Sequence, residues 1–235
     1  ASEFLRISCR YLPAARSGIV LVRKKILTDE YKKNPFFGNK SNQDQLSGAV
    51  SSFIYNIHNL PEKKGPLNNL AKDFERELIN GEIIKSVQDE RMYPDIKYRY
   101  LDQCIPLHRA SSTVSELTPI ILYLKYIVKR GDVLIIEEPE AHIHTHIQKT
   151  LFDNLDYGDT QIIYSTYSTQ ISEVSNVENI NILAKKKNYA EVYQPSNGLK
   201  KKNINQIQRY LDAVRSNLLF AKGVILVEGD AEEIL

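Results

Sequence analysis

The spacing of apolar positions divides the first eighty residues into a turn, a loop and two helices. Short apolar runs flank a turn-like segment at 12–18, and residues 28–43 are polar without periodicity, which predicts a loop. Residues 46–57 and 66–81 carry apolar side chains at helical spacing. We therefore expect a helical insertion over about residues 44–81.

The next part of the chain changes from strand-like alternation to helices and strands in turn. Residues 82–107 alternate polar and apolar positions, as in a hairpin or short meander. The elements predicted after it are a helix at 114–130, a buried strand at 132–136, a helix at 144–155, a buried strand at 161–165 and a short helix at 169–174. This order indicates an α/β fold with a parallel or mixed sheet and flanking helices.

The last part of the chain carries two lysine runs. A strand pair is predicted at 179–184 and 190–194, with Lys185–Lys187 between the strands. Residues 204–220 are expected to be helical, and a second lysine run at 200–202 precedes them. Such runs suit DNA phosphates, although short ones are more often solvated loop charge.

Composition limits the class of protein. The chain is 42% hydrophobic and 26% charged with a formal net charge of +2, which neither requires nor excludes a nucleic-acid partner. Cys9 and Cys104 form no CxxC pair, so a zinc ribbon or disulfide scaffold is disfavoured. The longest apolar stretch, Thr118–Val128, is interrupted by Lys125 and is too short to span a bilayer. We expect a cytoplasmic protein without membrane contact.

The most informative segment is a predicted strand that ends in carboxylates, at 133–142. Four apolar residues precede Glu137 and Glu138, which places both acids at the carboxyl edge of a parallel sheet. Phosphoryl transfer needs such a pair, because one carboxylate holds Mg²⁺ and the other polarises the attacking water. The alternative is an exposed acidic loop. A metal site at the nearby histidines 142, 144 and 146 is disfavoured, because helical residues two apart point about 200° away from each other.

A serine-rich segment lies at the predicted start of the 114–130 helix. Ser111, Ser112 and Ser115 would offer hydroxyls and free backbone N–H groups that suit a phosphate. The alternative is an ordinary capping box, with Ser112 or Thr113 as the N-cap.

Two further strand ends carry candidate chemistry. The strand at 161–165 ends in hydroxyl residues and is followed by Tyr167. A strand predicted at 223–227 is followed by Glu228, and Glu232 lies one helical turn later, so the two could share a divalent metal. The alternative is a capped strand-to-helix turn whose acids favour the helix dipole.

These segments, in this order, resemble the OLD (overcoming lysogenization defect) family of ATP-dependent endonucleases. The acidic strand end is similar to Walker B and the D-loop of ABC-type ATPases, which implies Glu137 at the Mg²⁺ position and Glu138 as the catalytic base. The serine segment resembles the signature motif, which in this branch contacts the γ-phosphate bound to the other protomer of a homodimer. Tyr167 stands where the switch histidine is expected, and a tyrosine offers a hydroxyl on a longer side chain without a ring that becomes charged.

The end of the chain is similar to the opening of a TOPRIM nuclease domain. The resemblance implies that Glu228 is catalytic and, with Glu232, a ligand of Mg²⁺ or Mn²⁺. Residues 1–205 would then be the C-terminal portion of the ATPase domain, and 206–235 a linker helix and the first TOPRIM strand. The chain contains no GxxxxGK[ST] loop, so we expect a fragment, inactive alone, whose phosphate-binding loop precedes Ala1.

The resemblance implies a parent protein in which ATP binding and hydrolysis regulate DNA cleavage. The partners it implies are ATP, DNA, further copies of the chain in a homodimer or higher homo-oligomer, and a partner protein in anti-phage defence. Two alternatives stay open. One is an SMC/RecF-like DNA-repair ATPase without nuclease activity. The other is a degenerate nucleotide-sensing scaffold, for which Tyr167 is the motivating residue.

Overall fold

A computed structural model describes residues 8–32, 46–86, 94–153, 160–212 and 215–221. The chain divides into two compact units, residues 1–166 and residues 167–235. The domain boundary predicted between residues 205 and 206 stays a prediction. The strand predicted at 223–227, with Glu228 and Glu232, lies outside the described residues.

The first unit contains two sheets and five α-helices among its described residues. In chain order its elements are β1 (Cys9–Leu12), α1 (Arg16–Lys32), α2 (Gly48–His58), α3 (Asn68–Glu77), β2 (Glu82–Ser86), β3 (Asp95–Tyr100), β4 (Gln103–Pro106), α4 (Ser112–Leu122), β5 (Val133–Glu137), α5 (Thr145–Asp153) and β6 (Gln161–Ser165). The predicted α/β class with a parallel sheet and flanking helices is confirmed.

The parallel sheet has the order β1-β5-β6, with β5 in the middle. On β5, Leu134 and Ile136 are fully buried, as predicted for a core strand. The prediction that β6 is buried is wrong, because Ile163 is largely exposed. Among the described strands β6 lies at the edge of the sheet, and an edge strand is covered less than a central one.

Helix α1 is the largest difference from the sequence prediction, which placed a turn at 12–18 and a loop from residue 28. The helix begins at Arg16, whose N–H donates to the Pro13 carbonyl (3.2 Å). Proline and glycine suggested a break, but Pro13 precedes the helix and Gly18 lies in its first turn, where both residues are tolerated.

The predicted helices at 46–57 and 66–81 are confirmed as α2 and α3, and the predicted meander as the antiparallel sheet β2-β3-β4. The single helix predicted at 114–130 is wrong at its end. Helix α4 gives way at Tyr123–Ile127 to a π turn, in which the Val128 N–H donates to the Tyr123 carbonyl (2.9 Å). A π turn changes the direction of the side chains that follow it.

Lys125, within that π turn, makes a buried ion pair. Its Nζ donates to Glu75 Oε1 on α3 (2.7 Å) and to the Ile83 carbonyl on β2 (3.0 Å). The Ile83 N–H donates to the same Glu75 oxygen (2.7 Å). Burial raises the pKa of Glu75, and the hydrogen bond and charge of Lys125 act against that rise. The pair therefore ties the second of the two inserted helices to the meander and the π turn.

Replacing Lys125 by methionine is expected to destabilise the protein by about 3–5 kcal/mol, because it leaves the Glu75 carboxylate buried without its cation. Urea unfolding measures this change. The control is Arg76→Met, which removes exposed ion pairs with Asp73 and Glu77 and should leave the urea midpoint close to that of wild type. Equal losses in the two variants would contradict the importance of the buried pair.

The described part of the second unit contains a helix, a β-hairpin and two further helices, in that order. Its elements in chain order are α6 (Thr169–Val174), β7 (Ile182–Lys185), β8 (Ala190–Tyr193), α7 (Pro195–Gly198) and α8 (Lys201–Tyr210). The predicted short helix and strand pair are confirmed. Val177, Ile204 and Leu211 form its small core.

The helix predicted at 204–220 is wrong as one element. Helix α8 ends at Tyr210, and a separate 3-10 turn covers Arg215–Leu219. Asp212 explains the break, because its Oδ1 accepts from the Arg215 N–H (2.7 Å) as an N-cap side chain does. Within the described ranges, no helix is long and apolar enough to cross a membrane.

Candidate functional site

Three parallel strands bring their carboxyl ends to one edge of the first unit's sheet. The register pairs Glu137, the last residue of β5, with Ser165, the last residue of β6. Leu12 ends β1 beside Ile136. We call Glu137–His142, the segment that leaves this edge, the acidic loop. It lies where ligands bind in open α/β folds.

Glu137 is held by the segment between β1 and α1. Tyr11 Oη donates to Glu137 Oε2 (2.5 Å), and the Ala14 N–H donates to the same oxygen (3.1 Å). The hydrogen bond to Glu137, together with burial, raises the pKa of Tyr11 to about 12. The phenol therefore stays protonated at any physiological pH and keeps donating to the carboxylate, which fixes its direction.

Glu138 has a backbone conformation that is rare for its residue type. Its φ is +43°, in the left-handed region, which costs a non-glycine residue about 1–3 kcal/mol. The Glu138 N–H donates to the Ser165 carbonyl (2.9 Å), and its carbonyl accepts from the Ala141 N–H (3.0 Å). Its backbone is thus fixed from both sides. The carboxylate makes no hydrogen bond within the described part of the chain, so it is available to a water molecule.

The Arg16 side chain also holds the acidic loop, through the carbonyls of that loop. Its side chain is fully buried, and Nη1 donates to the carbonyls of Glu137 (3.0 Å) and Glu138 (3.2 Å), while Nη2 donates to that of Pro139 (3.1 Å). Burial lowers the pKa of Arg16, and four carboxylates act against that lowering, Glu116 foremost. Arg16 stays charged at physiological pH. Three consecutive carbonyls are therefore fixed by one cation.

The loop is also tied to the end of β6. Thr166 Oγ1 donates to Glu140 Oε1 (2.6 Å), which connects the acidic loop to the first residue after that strand. The acidic loop is accordingly held by β6, by α1 and by the segment before α1. The Glu137 carboxylate and the Glu138 backbone are therefore fixed by contacts with three different parts of the unit.

The donor set at this edge fits a magnesium ion that binds few protein ligands. Both hydrogen bonds to Glu137 fall on Oε2, which leaves Oε1 for a metal or its water. No group of three or more histidine, cysteine or acidic residues that could hold a metal occurs in the described ranges. Mg²⁺ commonly uses one or two carboxylates and takes its other ligands from water and phosphates.

The serine segment begins α4 in the same unit. Ser111 is the N-cap, and its Oγ accepts from the Val114 N–H (3.3 Å), so the capping box predicted on Ser112 or Thr113 is wrong in its position. Ser111 and Ser112 are exposed, and Ser115 Oγ donates to the Leu107 carbonyl (3.5 Å). A capping hydroxyl still has a proton to donate, so Ser111 and the Ser112 N–H remain able to bind a phosphate.

The other predicted site residues are placed differently. Tyr167 belongs to the second unit, is 79% exposed, and has its ring 6.3 Å from that of Phe220. His144 Nδ1 accepts from the His146 N–H (3.3 Å) next to the start of α5, which is a capping contact. Glu228 and Glu232 lie outside the described residues.

Tyr11 and Arg16 belong to the site but were not predicted from the sequence. Both lie next to or within the segment assigned to a turn, and neither belongs to a recurring motif that the analysis used. The available signal was an arginine directly after Pro13-Ala14-Ala15, at the boundary between an apolar strand and an apolar helix. A cation at the start of a helix is unfavourable for the helix dipole and therefore needs another partner.

Comparison with known proteins gives one family. The model of the AAA ATPase domain family matches residues 25–172, which contain α2 to α5, the serine segment and the acidic loop. No curated protein sequence matches the chain. A solved structure from a study of the "structural biochemistry of ATP-driven dimerization and DNA stimulated activation of SMC ATPases" is 11% identical. It covers 62% of this chain and 92% of that chain, with a TM-score of 0.44.

Proposed function

Because the chain belongs to the AAA ATPase domain family, we propose that its acidic loop hydrolyses ATP and that this ATPase regulates DNA cleavage in an OLD-like endonuclease. The observation that carries the ATPase assignment is the geometry of Glu138. Its backbone is held at φ +43° while its carboxylate makes no hydrogen bond among the described residues. A fixed backbone with an available carboxylate suits a general base, and strained backbone conformations are frequent at active sites.

The proposed reaction uses Glu138 on the attacking water. Glu138 accepts a proton as the water oxygen bonds to the γ-phosphorus, and the bond from phosphorus to the bridging oxygen of ADP breaks. Glu137, fixed by Tyr11 and Ala14, would hold Mg²⁺ through its second oxygen. The ion, when bound, neutralises charge on the phosphates.

The serine segment is proposed to bind the γ-phosphate of a second protomer. Ser111 and Ser112 are exposed at the start of α4, and no hydrogen bond connects them to Glu137 or Glu138 in the described part of the same chain. Action across a homodimer is what the resemblance of this segment to the signature motif implies. ATP and Mg²⁺ are then shared between the two chains, with Ser115 positioned one turn further along the helix.

The coupling to DNA cleavage rests on the sequence. Glu228 and Glu232 follow a predicted strand in a pattern similar to a TOPRIM opening, and they form a carboxylate pair separate from Glu137 and Glu138. The proposal therefore has two acidic centres, one for the phosphoanhydride of ATP and one, with Mg²⁺ or Mn²⁺, for the DNA phosphodiester. Anti-phage defence, with a defence-system partner protein, is the biological role that the OLD resemblance suggests.

The test is made on the full-length protein that contains this chain. Phosphate release from ATP and nicking of supercoiled plasmid are measured with Mg²⁺ and with Mn²⁺. The proposal expects both activities. ATP turnover without cleavage under either metal would remove the nuclease and leave a repair-type ATPase.

A nucleotide-sensing scaffold is the second candidate, and Tyr167 is the observation that favours it. Its exposed phenol stands at the position of the switch histidine, and a tyrosine has no ring that becomes charged. If the protein is a sensor, wild type should bind ATP with almost no turnover, and Tyr167→His should raise phosphate release about tenfold or more. Tyr189→His, at another exposed tyrosine of the same unit, is the control. Strong turnover by wild type excludes the sensor.

A further inference from the structure

Two oppositely charged side chains lie buried near each other without completing their hydrogen bonds. Arg16 uses Nη1 and Nη2 on the three loop carbonyls, but its Nε is buried without a hydrogen-bond partner. Glu116, on α4, is also buried; its Oε1 accepts from Ser17 Oγ (2.5 Å), and its Oε2 has no hydrogen-bond partner. An unsatisfied buried polar atom costs about 1–3 kcal/mol, more when it is charged.

The two side chains connect different elements of the site. Arg16 lies in the first turn of α1 and supports the acidic loop. Glu116 lies one turn along the helix that begins with Ser111 and Ser112, and its contact with Ser17 joins that helix to α1. An α-helix moves as a rigid element over one turn, so a displacement of its serine end carries Glu116 with it.

We propose that Arg16 and Glu116 are positioning residues that transmit the position of the serine end of α4 to the acidic loop. When a phosphate bound at Ser111 and Ser112 shifts α4, Glu116 Oε2 comes within reach of Arg16 and accepts a hydrogen bond from its Nε–H. Both atoms then have a hydrogen-bond partner. The shift of Arg16 then adjusts the carbonyls of Glu137, Glu138 and Pro139, and with them the direction of the Glu138 carboxylate. This inference rests on the proposed ATPase function of the loop.

The first test does not need ATP turnover. Hydrogen exchange is measured without nucleotide on a peptide that covers residues 137–143, whose Glu138, Ala141 and Ile143 N–H groups are all hydrogen-bonded. Glu116→Gln is expected to speed exchange in this peptide by about threefold or more, although Glu116 is more than twenty residues away in the chain, because the Glu116 charge already attracts Arg16 before the two side chains are in contact. The matched control is Glu75→Gln, a buried glutamate in the Lys125 pair, which should leave the peptide unchanged.

The second test is kinetic and uses the full-length protein. Glu116→Gln is expected to lower kcat for ATP about tenfold while the Kd for ATP changes less than about twofold, because the residue acts on the loop and not on the nucleotide. The double variant with Glu116→Gln and Arg16→Lys should have a kcat close to that of the worse single variant, since both residues act on the loop through the same contact. Glu75→Gln should lower the Tm with kcat unchanged. Ser17→Ala, which removes only one hydrogen bond, gives a milder second variant if Glu116→Gln does not fold.

The outcomes separate the two proposals. If Glu116→Gln exchanges faster in the loop and wild type does not turn over ATP, the proposed ATPase function is excluded. The positioning contact between Glu116 and Arg16 is then still supported. Wild-type turnover with unchanged exchange and kcat in Glu116→Gln and Ser17→Ala overturns the positioning role alone. The positioning role is also overturned if the losses in kcat of Glu116→Gln and Arg16→Lys multiply in the double variant. It is overturned as well if each variant loses kcat only in proportion to its loss in Tm.

Discussion

Replacing Glu138 by glutamine is expected to lower kcat for ATP hydrolysis by about 100-fold or more, while ATP still binds. Removing a general base typically costs two to four powers of ten. Glutamine keeps the size of the side chain and its backbone, which is held by Ser165 and Ala141, but it cannot accept the proton of the attacking water. Phosphate release and ATP binding, measured on the same full-length preparation, separate the two effects.

The matched control for Glu138→Gln is Glu62→Gln, the same change at an exposed position beyond α2. It should keep the wild-type kcat and Tm. A Glu138→Gln variant that retains more than about a third of the wild-type kcat would contradict the role of Glu138 as the base.

Replacing Glu228 by alanine is expected to abolish plasmid cleavage, about 100-fold or more, with ATP turnover close to that of wild type. Under the proposed function, this change removes a carboxylate ligand of the nuclease metal and leaves Glu137 and Glu138 intact. Plasmid nicking with Mg²⁺ and with Mn²⁺ measures the loss. Glu233→Ala removes a neighbouring carboxylate that is not a predicted ligand, and it should cut like wild type. Equal loss in both variants would mean that acidic charge matters and not a defined site.

Regular patterns predicted much of the fold. The apolar spacing of α2 and α3, the alternation of β2 to β4 and the apolar run of β5 each reflect which side chains are buried, and burial determines the pattern. The helix α1 was missed because proline and glycine are frequent both in turns and at helix starts. The π turn at Tyr123–Ile127 was missed because the apolar spacing there is that of a continuous helix, and the partner of Lys125, Glu75, lies fifty residues earlier in the chain.

The position of the candidate site was predictable where a strand pattern fixed the place of the side chains that follow it. Carboxylates directly after a buried strand predicted Glu137 and Glu138 at the sheet edge, and the register with β6 places Glu137 there. Tyr11 and Arg16 were not predictable in the same way, because they act through contacts more than 120 residues away in the chain. No local pattern encodes such a contact. The positive φ of Glu138 is likewise set by its surroundings and not by its own sequence.

The most direct measurement of the central claim follows ATP hydrolysis and plasmid cleavage together in the full-length wild type, Glu138→Gln and Glu228→Ala. The account predicts that Glu138→Gln loses phosphate release, that Glu228→Ala loses cleavage and keeps phosphate release, and that wild type performs both reactions. A wild type that binds ATP but neither releases phosphate nor cuts DNA with Mg²⁺ or Mn²⁺ would contradict it.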